Sequence, residues 1–191
     1  MTTAKLTLRE FESRPETEPA SEWIDGEVVQ KPMPTFEHGF IQSALSFVIN
    51  LFLRAHPIGF IGSEVRCIFG PAGEERPYVP DLIFIDAARL RRTGPGQPFH
   101  GAPDLAVEVL SPDDRPDRVA AKVAFYLLHG VRLVWLIDPE ARTVTVLSPV
   151  GLSERLAEVD LLDGGDVLPG FTTSVRDILP PLFTDCAADL G

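Results

Sequence analysis

Cysteine is scarce in this sequence, where Cys67 and Cys186 are the 2 examples among 191 residues. They lie far apart in unrelated contexts and do not form a CxxC pair. This pattern excludes a disulfide framework and a cysteine-based metal or redox motif. It is typical of proteins in a reducing compartment, so we expect a cytoplasmic location.

Long uninterrupted apolar runs are also missing. Residues 1–16 contain no apolar segment of the kind found in a signal peptide. The longest apolar stretch, residues 40–53, is interrupted by polar side chains at Gln42, Ser43, Ser46 and Asn50. We therefore expect neither export by a signal peptide nor a membrane-spanning segment, and no membrane partner.

Basic residues are outnumbered, with 17 Lys and Arg against 28 Asp and Glu and a formal net charge of -11. This balance argues against broad wrapping of nucleic acid, because phosphate binding requires a positive field. Basic side chains do cluster locally, although such clusters are more often solvated faces than binding sites. The two clusters contain Arg89, Arg91 and Arg92, and Arg115, Arg118 and Lys122.

The remaining composition, 45% hydrophobic and 24% charged, is that of one globular domain with a substantial core. Prolines and glycines are spread between elements instead of forming a linker. We expect a single domain over residues 1–191, with its core at about 20–150 and C-terminal strands and a short helix in 151–183.

Hydrophobic periodicity predicts the order of the main elements. Asp25-Gly26 indicates a small N-terminal hairpin, and Thr35 is suited to cap a long helix. A buried strand, a helix and a second buried strand in succession indicate a βαβ unit. The predicted ranges are a short helix at 6–12, a hairpin at 22–30, a helix at 36–56, strands at 61–69 and 79–85, a strand at 105–110, a helix at 115–129, strands at 133–138 and 143–147, a strand at 158–162, and a short helix at 174–179.

Two acids occupy positions where a charge is costly. Asp81 follows Pro80 at the head of an apolar strand, and Glu108 interrupts the apolar run 105–110. Burial of either carboxylate without a partner would cost several kcal/mol. Two acids on adjacent strands can share one cation, and Mg²⁺ prefers carboxylate oxygens and keeps a water that can attack a phosphodiester. Asp81 alone is also compatible with a simple strand cap.

Lys122 provides a third element of the same chemistry. It lies on the flank of the apolar stripe of the helix 115–129, so its side chain points inward or sideways. An ammonium beside two carboxylates can orient a water or stabilise charge on phosphorus. The alternative is a lysine that only extends from the edge of an amphipathic helix to solvent.

The ordered set of Pro80-Asp81, Glu108 and a nearby lysine resembles the PD-(D/E)XK nuclease superfamily. More closely, residues 6–180 resemble a large bacterial family of restriction-endonuclease-like proteins long catalogued as a domain of unknown function. The quoted segments are Trp23 to Glu27, Glu37-His38, Val79 to Asp81, Val107 to Pro112, Lys122 and Trp135 to Pro139.

The resemblance implies an α/β (α+β), restriction-endonuclease-like fold, with a central mixed β-sheet flanked by helices, an N-terminal β-hairpin and C-terminal edge strands. It further implies Asp81 and Glu108 as ligands of Mg²⁺ or Mn²⁺ and DNA as the substrate. The superfamily lysine two residues after the second acid is replaced by Leu110, so Lys122 is the candidate catalytic lysine. Glu27 and His38 match further positions of the closer family.

Several alternatives remain open from the residues alone. His38 is equally compatible with a core or cap histidine, Glu27 with a solvated hairpin acid, and Glu64 with an additional site acid. Three functions fit: a Mg²⁺-dependent endonuclease, a catalytically silent interaction module with the nuclease fold, and a hydrolase of a smaller phosphoester. We also expect a homodimer, because the helix 36–56 is apolar nearly all round.

Overall fold

The computed structural model describes residues 5–24, 26–90, 98–151 and 153–181. Predictions that concern Asp25, Arg91, Arg92, Cys186 and the end of segment 151–183 lie outside these ranges. The helices are α1 (Leu8–Glu12), α2 (Phe36–Ala55), α3 (Ala87–Leu90), α4 (Pro116–Leu128) and α5 (Val175–Ile178). The strands are β1 (Ser21–Ile24), β2 (Glu27–Gln30), β3 (Gly59–Ser63), β4 (Cys67–Phe69), β5 (Arg76–Tyr78), β6 (Leu82–Asp86), β7 (Phe99–His100), β8 (Leu105–Val109), β9 (Leu133–Asp138), β10 (Thr143–Leu147), β11 (Glu154–Ala157), β12 (Leu161–Asp163) and β13 (Thr172–Ser174).

The central sheet has six strands in the order β11-β10-β9-β8-β6-β3. Strands β8 and β9 are parallel, and every other neighbouring pair is antiparallel. Helix α4 connects the two parallel strands, as the predicted βαβ unit requires. The predicted fold class is therefore confirmed: a mixed sheet flanked by helices, with the β1–β2 hairpin before it and edge strand β11 near the C-terminal end.

The two faces of this sheet carry separate apolar layers. Leu105 and Val107 of β8 pack in the layer that contains the buried face of α2. Ala106 packs in the layer that contains Val123 and Tyr126 of α4. Because successive strand residues point to opposite faces, Glu108 belongs to the α4 side. The alternation along β8 thus directs this acid toward the helix that carries Lys122.

Helix α2 begins where the sequence predicts, because the Thr35 hydroxyl accepts a hydrogen bond from the His38 backbone N–H at 3.2 Å. Its buried residues are Ile41, Leu45, Ile49 and Leu53. Among the described residues it is the one helix long and apolar enough to cross a membrane by length and composition. Length and composition alone do not make it a membrane span, since core helices of soluble proteins pass the same test.

The predicted strand 61–69 is divided between two sheets, and the predicted strand 79–85 begins only at Leu82, which corrects both sequence-based boundaries. Strand β3 pairs with β6 in the central sheet, whereas β4 pairs with β5 and β7 in a separate three-stranded sheet. The chain turns at Glu64, whose φ is 54°, and Pro80 and Asp81 separate β5 from β6. The Glu64 N–H donates to the Asp81 carbonyl at 3.2 Å. Both crossing points therefore place an acid at the same location.

Candidate active site

A cavity of about 730 Å³ lies where the hairpin, the start of α2, the ends of β6 and β8, and α4 meet. Its wall carries an unusual concentration of charge. The acids and bases that line it include Glu22, Lys31, His38, Glu64, Asp81, Glu108 and Lys122.

Asp81 is 1% exposed and immediately precedes β6. Its Oδ2 atom accepts a hydrogen bond from the Val109 backbone N–H at 2.7 Å, which ties the carboxylate to the end of β8. Its Oδ1 atom lies 2.5 Å from the Lys31 Nζ atom and 3.3 Å from the His38 Nε2 atom. Burial raises the pKa of Asp81, but the His38 hydrogen bond and the Lys31 charge outweigh burial and hold the pKa well below its ordinary value.

His38, Glu64 and Asp81 form a group with the composition of a metal site. One potential ligand atom of each residue lies within 4.8 Å of the others. Glu64 reaches this group from the turn after β3, and the Gln42 side-chain amide lies 3.4 Å from its Oε1 atom. His38, a predicted site residue on α2, therefore faces Asp81.

Glu108 is the other predicted metal ligand and lies next to Asp81 in the sheet. Leu82, which follows Asp81, pairs with Val107, which precedes Glu108. The Glu108 Oε2 atom accepts a hydrogen bond from the Lys122 Nζ atom at 3.0 Å, and its Oε1 atom accepts one from the Tyr126 hydroxyl at 2.8 Å. Lys122 and Tyr126 are one turn apart on α4, so a single helix face supplies both donors.

Lys122 contacts a second carboxylate that was not predicted. Its Nζ atom lies 2.9 Å from Glu22 Oε1, and the same oxygen accepts the Val79 N–H at 3.0 Å. Glu22 is 5% exposed. One ammonium thus bridges the N-terminal hairpin and the central sheet.

Burial and neighbouring charges shift the pKa values of Glu108 and Lys122. Desolvation raises the pKa of Glu108 from 4.5 to about 7, although the Lys122 charge opposes the change. Desolvation lowers the pKa of Lys122, but Glu108 and Glu22 overcome it and raise the pKa above its ordinary value. Lys122 therefore stays positively charged at neutral pH. Burial also raises the pKa of Tyr126, so its hydroxyl remains a donor.

The structure brings four of the five predicted site residues into one cavity: Asp81, Glu108, Lys122 and His38. Glu27 is exposed at the start of β2 and is not among the described residues that line the cavity. It pairs with Ile24 beside the turn, whereas Glu22 pairs with Val29 farther from the turn. The acid that the hairpin contributes to the cavity is therefore Glu22 instead of Glu27.

The two basic clusters predicted from the sequence lie in different parts of the structure. Arg115 and Arg118 line the cavity together with Lys122. Arg89 instead lies 2.8 Å from the buried carboxylate of Asp104 and donates to the Ala102 carbonyl, both away from the cavity. Positive charge near the site therefore comes from α4 and from Lys31.

Comparison with known proteins identifies the family of this chain. The family model described as "Uma2: Putative restriction endonuclease" matches residues 8–176. The chain belongs to this family. Its fold also matches the crystal structure of "a putative nuclease belonging to DUF820 from Anabaena variabilis ATCC 29413", with a TM-score of 0.81 and 36% sequence identity. The match covers 91% of this chain and 97% of that chain. No curated protein matches this member of the Uma2 family.

Proposed function

We propose that this Uma2-family chain is an endonuclease that hydrolyses DNA phosphodiester bonds with Mg²⁺ or Mn²⁺. One observation carries the proposal: Asp81 and Glu108 are buried side by side at the ends of paired strands, and both face one cavity with Lys122. An ionised carboxylate is costly to bury without a compensating cation, and hard divalent ions bind carboxylate oxygens.

The residues fit a divalent cation by the chemistry of their donors. Asp81 and Glu64 offer carboxylate oxygens, and His38 offers a ring nitrogen within 4.8 Å of them. A lysine ammonium already lies 2.5 Å from Asp81, which indicates that this oxygen attracts a cation. Asp81 would hold the metal, with Glu108 as the second ligand that the family resemblance implies. The bound cation would supply a water of lowered pKa as the nucleophile.

The other side chains have roles that follow from their contacts. The Lys122 ammonium is charged and held by two carboxylates, so it is positioned to stabilise negative charge that develops on the phosphoryl oxygens. Glu22 is a positioning residue, because it acts on Lys122. Tyr126 donates to Glu108 Oε1 and leaves the other oxygen to Lys122. Arg115 and Arg118 at the cavity wall provide local attraction for a phosphate backbone despite the net charge of -11.

The direct test is cleavage of supercoiled plasmid DNA with Mg²⁺ or Mn²⁺. We expect the wild type to nick or linearise the plasmid, and the variants Asp81→Asn and Glu108→Gln to lose this activity. Glu154→Gln is the matched control, because it makes the same chemical change at an exposed position on edge strand β11. Failure of the wild type to cut any nucleic acid with either metal would refute the nuclease proposal. Retained hydrolysis of a small phosphodiester in that case would favour the smaller-substrate alternative.

We also propose that the chain acts as a homodimer in the cytoplasm. The scarcity of cysteine supports the location. The exposed apolar side chains of α2 support the dimer, since Phe47 is 68% and Leu51 is 58% exposed. Two copies would present two sites to the two strands of a duplex.

A further inference from the structure

Lys31 lies against Asp81 and Glu64, two acids of the candidate metal site, although it was not predicted as a site residue. Its Nζ atom is 2.5 Å from Asp81 Oδ1 and 3.6 Å from Glu64 Oε1. The same atom donates to the Val79 carbonyl at 3.1 Å. Two of the three potential metal-ligating groups therefore contact one ammonium.

The electrostatics explain why a cation is needed at this point. The Asp81 side chain is 2% exposed and Lys31 is 13% exposed, so water screens neither charge well. An ionised carboxylate at this depth without a counter-charge would cost several kcal/mol. Lys31 supplies that charge from the segment between β2 and α2.

From this contact we infer that the Lys31 ammonium occupies the cation position of the metal-free protein, and that a divalent metal must displace it from Asp81. The inference rests on the proposed metal-dependent function, and it assigns to Lys31 a role as a built-in competitor of the metal. It predicts that the metal affinity of the site is set partly by a lysine that is not a ligand.

Displacement is compatible with the local structure. Residues 32–35, which follow Lys31, are exposed and belong to no helix or strand. The lysine side chain is a flexible four-carbon stem, so its ammonium can leave Asp81 without a change in the sheet or in α2. The cavity also provides room, since both Lys31 and the neighbouring Pro32 line it.

The test is Mn²⁺ binding to Lys31→Met, measured by titration calorimetry without DNA. Methionine keeps most of the side-chain volume and removes the ammonium, so Mn²⁺ no longer has to break an ion pair. We expect at least a tenfold lower Kd than in the wild type. Arg118→Met is the matched control, because it removes one positive charge from the same cavity wall without removing a contact to Asp81.

A second measurement, the Tm with and without Mn²⁺, distinguishes a change in metal binding from a folding defect. Without metal, Lys31→Met leaves Asp81 without its ammonium, so we expect a lower Tm than in the wild type. Mn²⁺ should then raise the Tm of Lys31→Met by more than it raises that of the wild type, because stabilisation by a ligand grows as its Kd falls. Lys31→Arg keeps the charge and should bind Mn²⁺ no more tightly than the wild type.

The outcomes separate this inference from the proposed function. Plasmid cleavage by the wild type together with equal or weaker Mn²⁺ binding by Lys31→Met would overturn the competitor role and leave the nuclease proposal intact. An equal gain in affinity from Arg118→Met would also overturn it. The gain would then come from the loss of any positive charge at the cavity and not from the loss of the Lys31 contact to Asp81. Absence of Mn²⁺ binding in both the wild type and Lys31→Met would refute the inference and the metal-dependent function together. Binding by Lys31→Met alone would support the competitor role.

Discussion

The Lys122 ammonium forms an ion pair with Glu22 Oε1 at 2.9 Å, and this contact joins the second turn of α4 to the first strand of the N-terminal hairpin. The ammonium is also held by Glu108 at 3.0 Å, so two acids from different elements fix its position. Neither carboxylate is exposed enough for water to replace the lysine. The orientation of the candidate catalytic lysine therefore depends on a hairpin that precedes the central sheet.

The first prediction concerns this hairpin. Glu22→Gln removes the charge that holds Lys122 but keeps an oxygen that can accept the Val79 N–H. We expect DNA cleavage to fall about tenfold to a hundredfold, on the scale of a lost positioning contact. The affinity for Mn²⁺ should change little, because Glu22 contacts Lys122 and not Asp81. Cleavage rates and Mn²⁺ titrations of the same preparation measure the two effects.

Glu27→Gln is the matched control, since it changes the other acid of the same hairpin. Glu27 is exposed, so we expect wild-type cleavage. A loss of activity in Glu27→Gln with full activity in Glu22→Gln would reverse the assignment. It would also restore the residue that the family resemblance favoured.

The second prediction separates Lys122 as a catalytic group from Lys122 as a surface lysine. Lys122→Ala should lower cleavage by about two to three orders of magnitude, as when a preorganised electrostatic contact is removed. Lys122→Arg should restore little activity, because a planar guanidinium cannot place its charge at the same point. Normal cleavage by Lys122→Ala, with Asp81→Asn as the inactive reference, would remove Lys122 from the mechanism.

The fold was predictable from sequence where local signals agree with tertiary structure. Helix α2 has a capping threonine and a clear apolar stripe, and the strands β9 and β10 have the predicted bounds. The interruption at Glu64, between β3 and β4, was not predicted. The apolar, β-branched run around it carries no local signal for a change of sheet, and that change depends on which strands are available as neighbours.

The site was predictable to the extent that its residues conflict with their surroundings. Asp81 and Glu108 are acids in apolar strands, so their partners could be expected from charge burial alone. Glu22 and Lys31 lie at the two ends of the predicted hairpin, where a lone charged side chain usually faces solvent. Lys31 reaches Asp81 across 50 residues of sequence, so its role appears only when the hairpin packs beside the sheet.

The third prediction concerns association through α2. Substitution of both Phe47 and Leu51 by Gln should convert the expected dimer into a 20.9 kDa monomer. The physical reason is the loss of apolar area one turn apart on the same exposed face. Sedimentation at high micromolar concentration measures the change. Val159→Gln with Leu161→Gln is the control, because those residues are 77% and 64% exposed near β12. A wild type that sediments as a monomer would refute the dimer.

The final prediction follows from the raised pKa of Glu108 and concerns stability without metal. The folded protein binds a proton at Glu108 up to about pH 7, whereas the unfolded chain releases it near pH 4.5. Between these values the folded state holds more protons, so the free energy of unfolding should fall as the pH rises. The decrease grows with the size of the pKa shift of Glu108, since each pKa unit corresponds to about 1.4 kcal/mol.

The pKa of Asp81 is lowered and so has the opposite effect, but it acts only as the pH falls below about 3.8, outside this window. Glu108→Gln isolates the contribution of Glu108, because an amide does not titrate and all other groups are shared. Urea unfolding at several pH values, with a chelator present, should show a decrease between pH 4.5 and 7 in the wild type that is much smaller in Glu108→Gln. Parallel curves for the two proteins would mean that Glu108 is ionised throughout this range. Lys122 would then compensate the carboxylate fully, and binding of a metal by Glu108 would not require the loss of a proton.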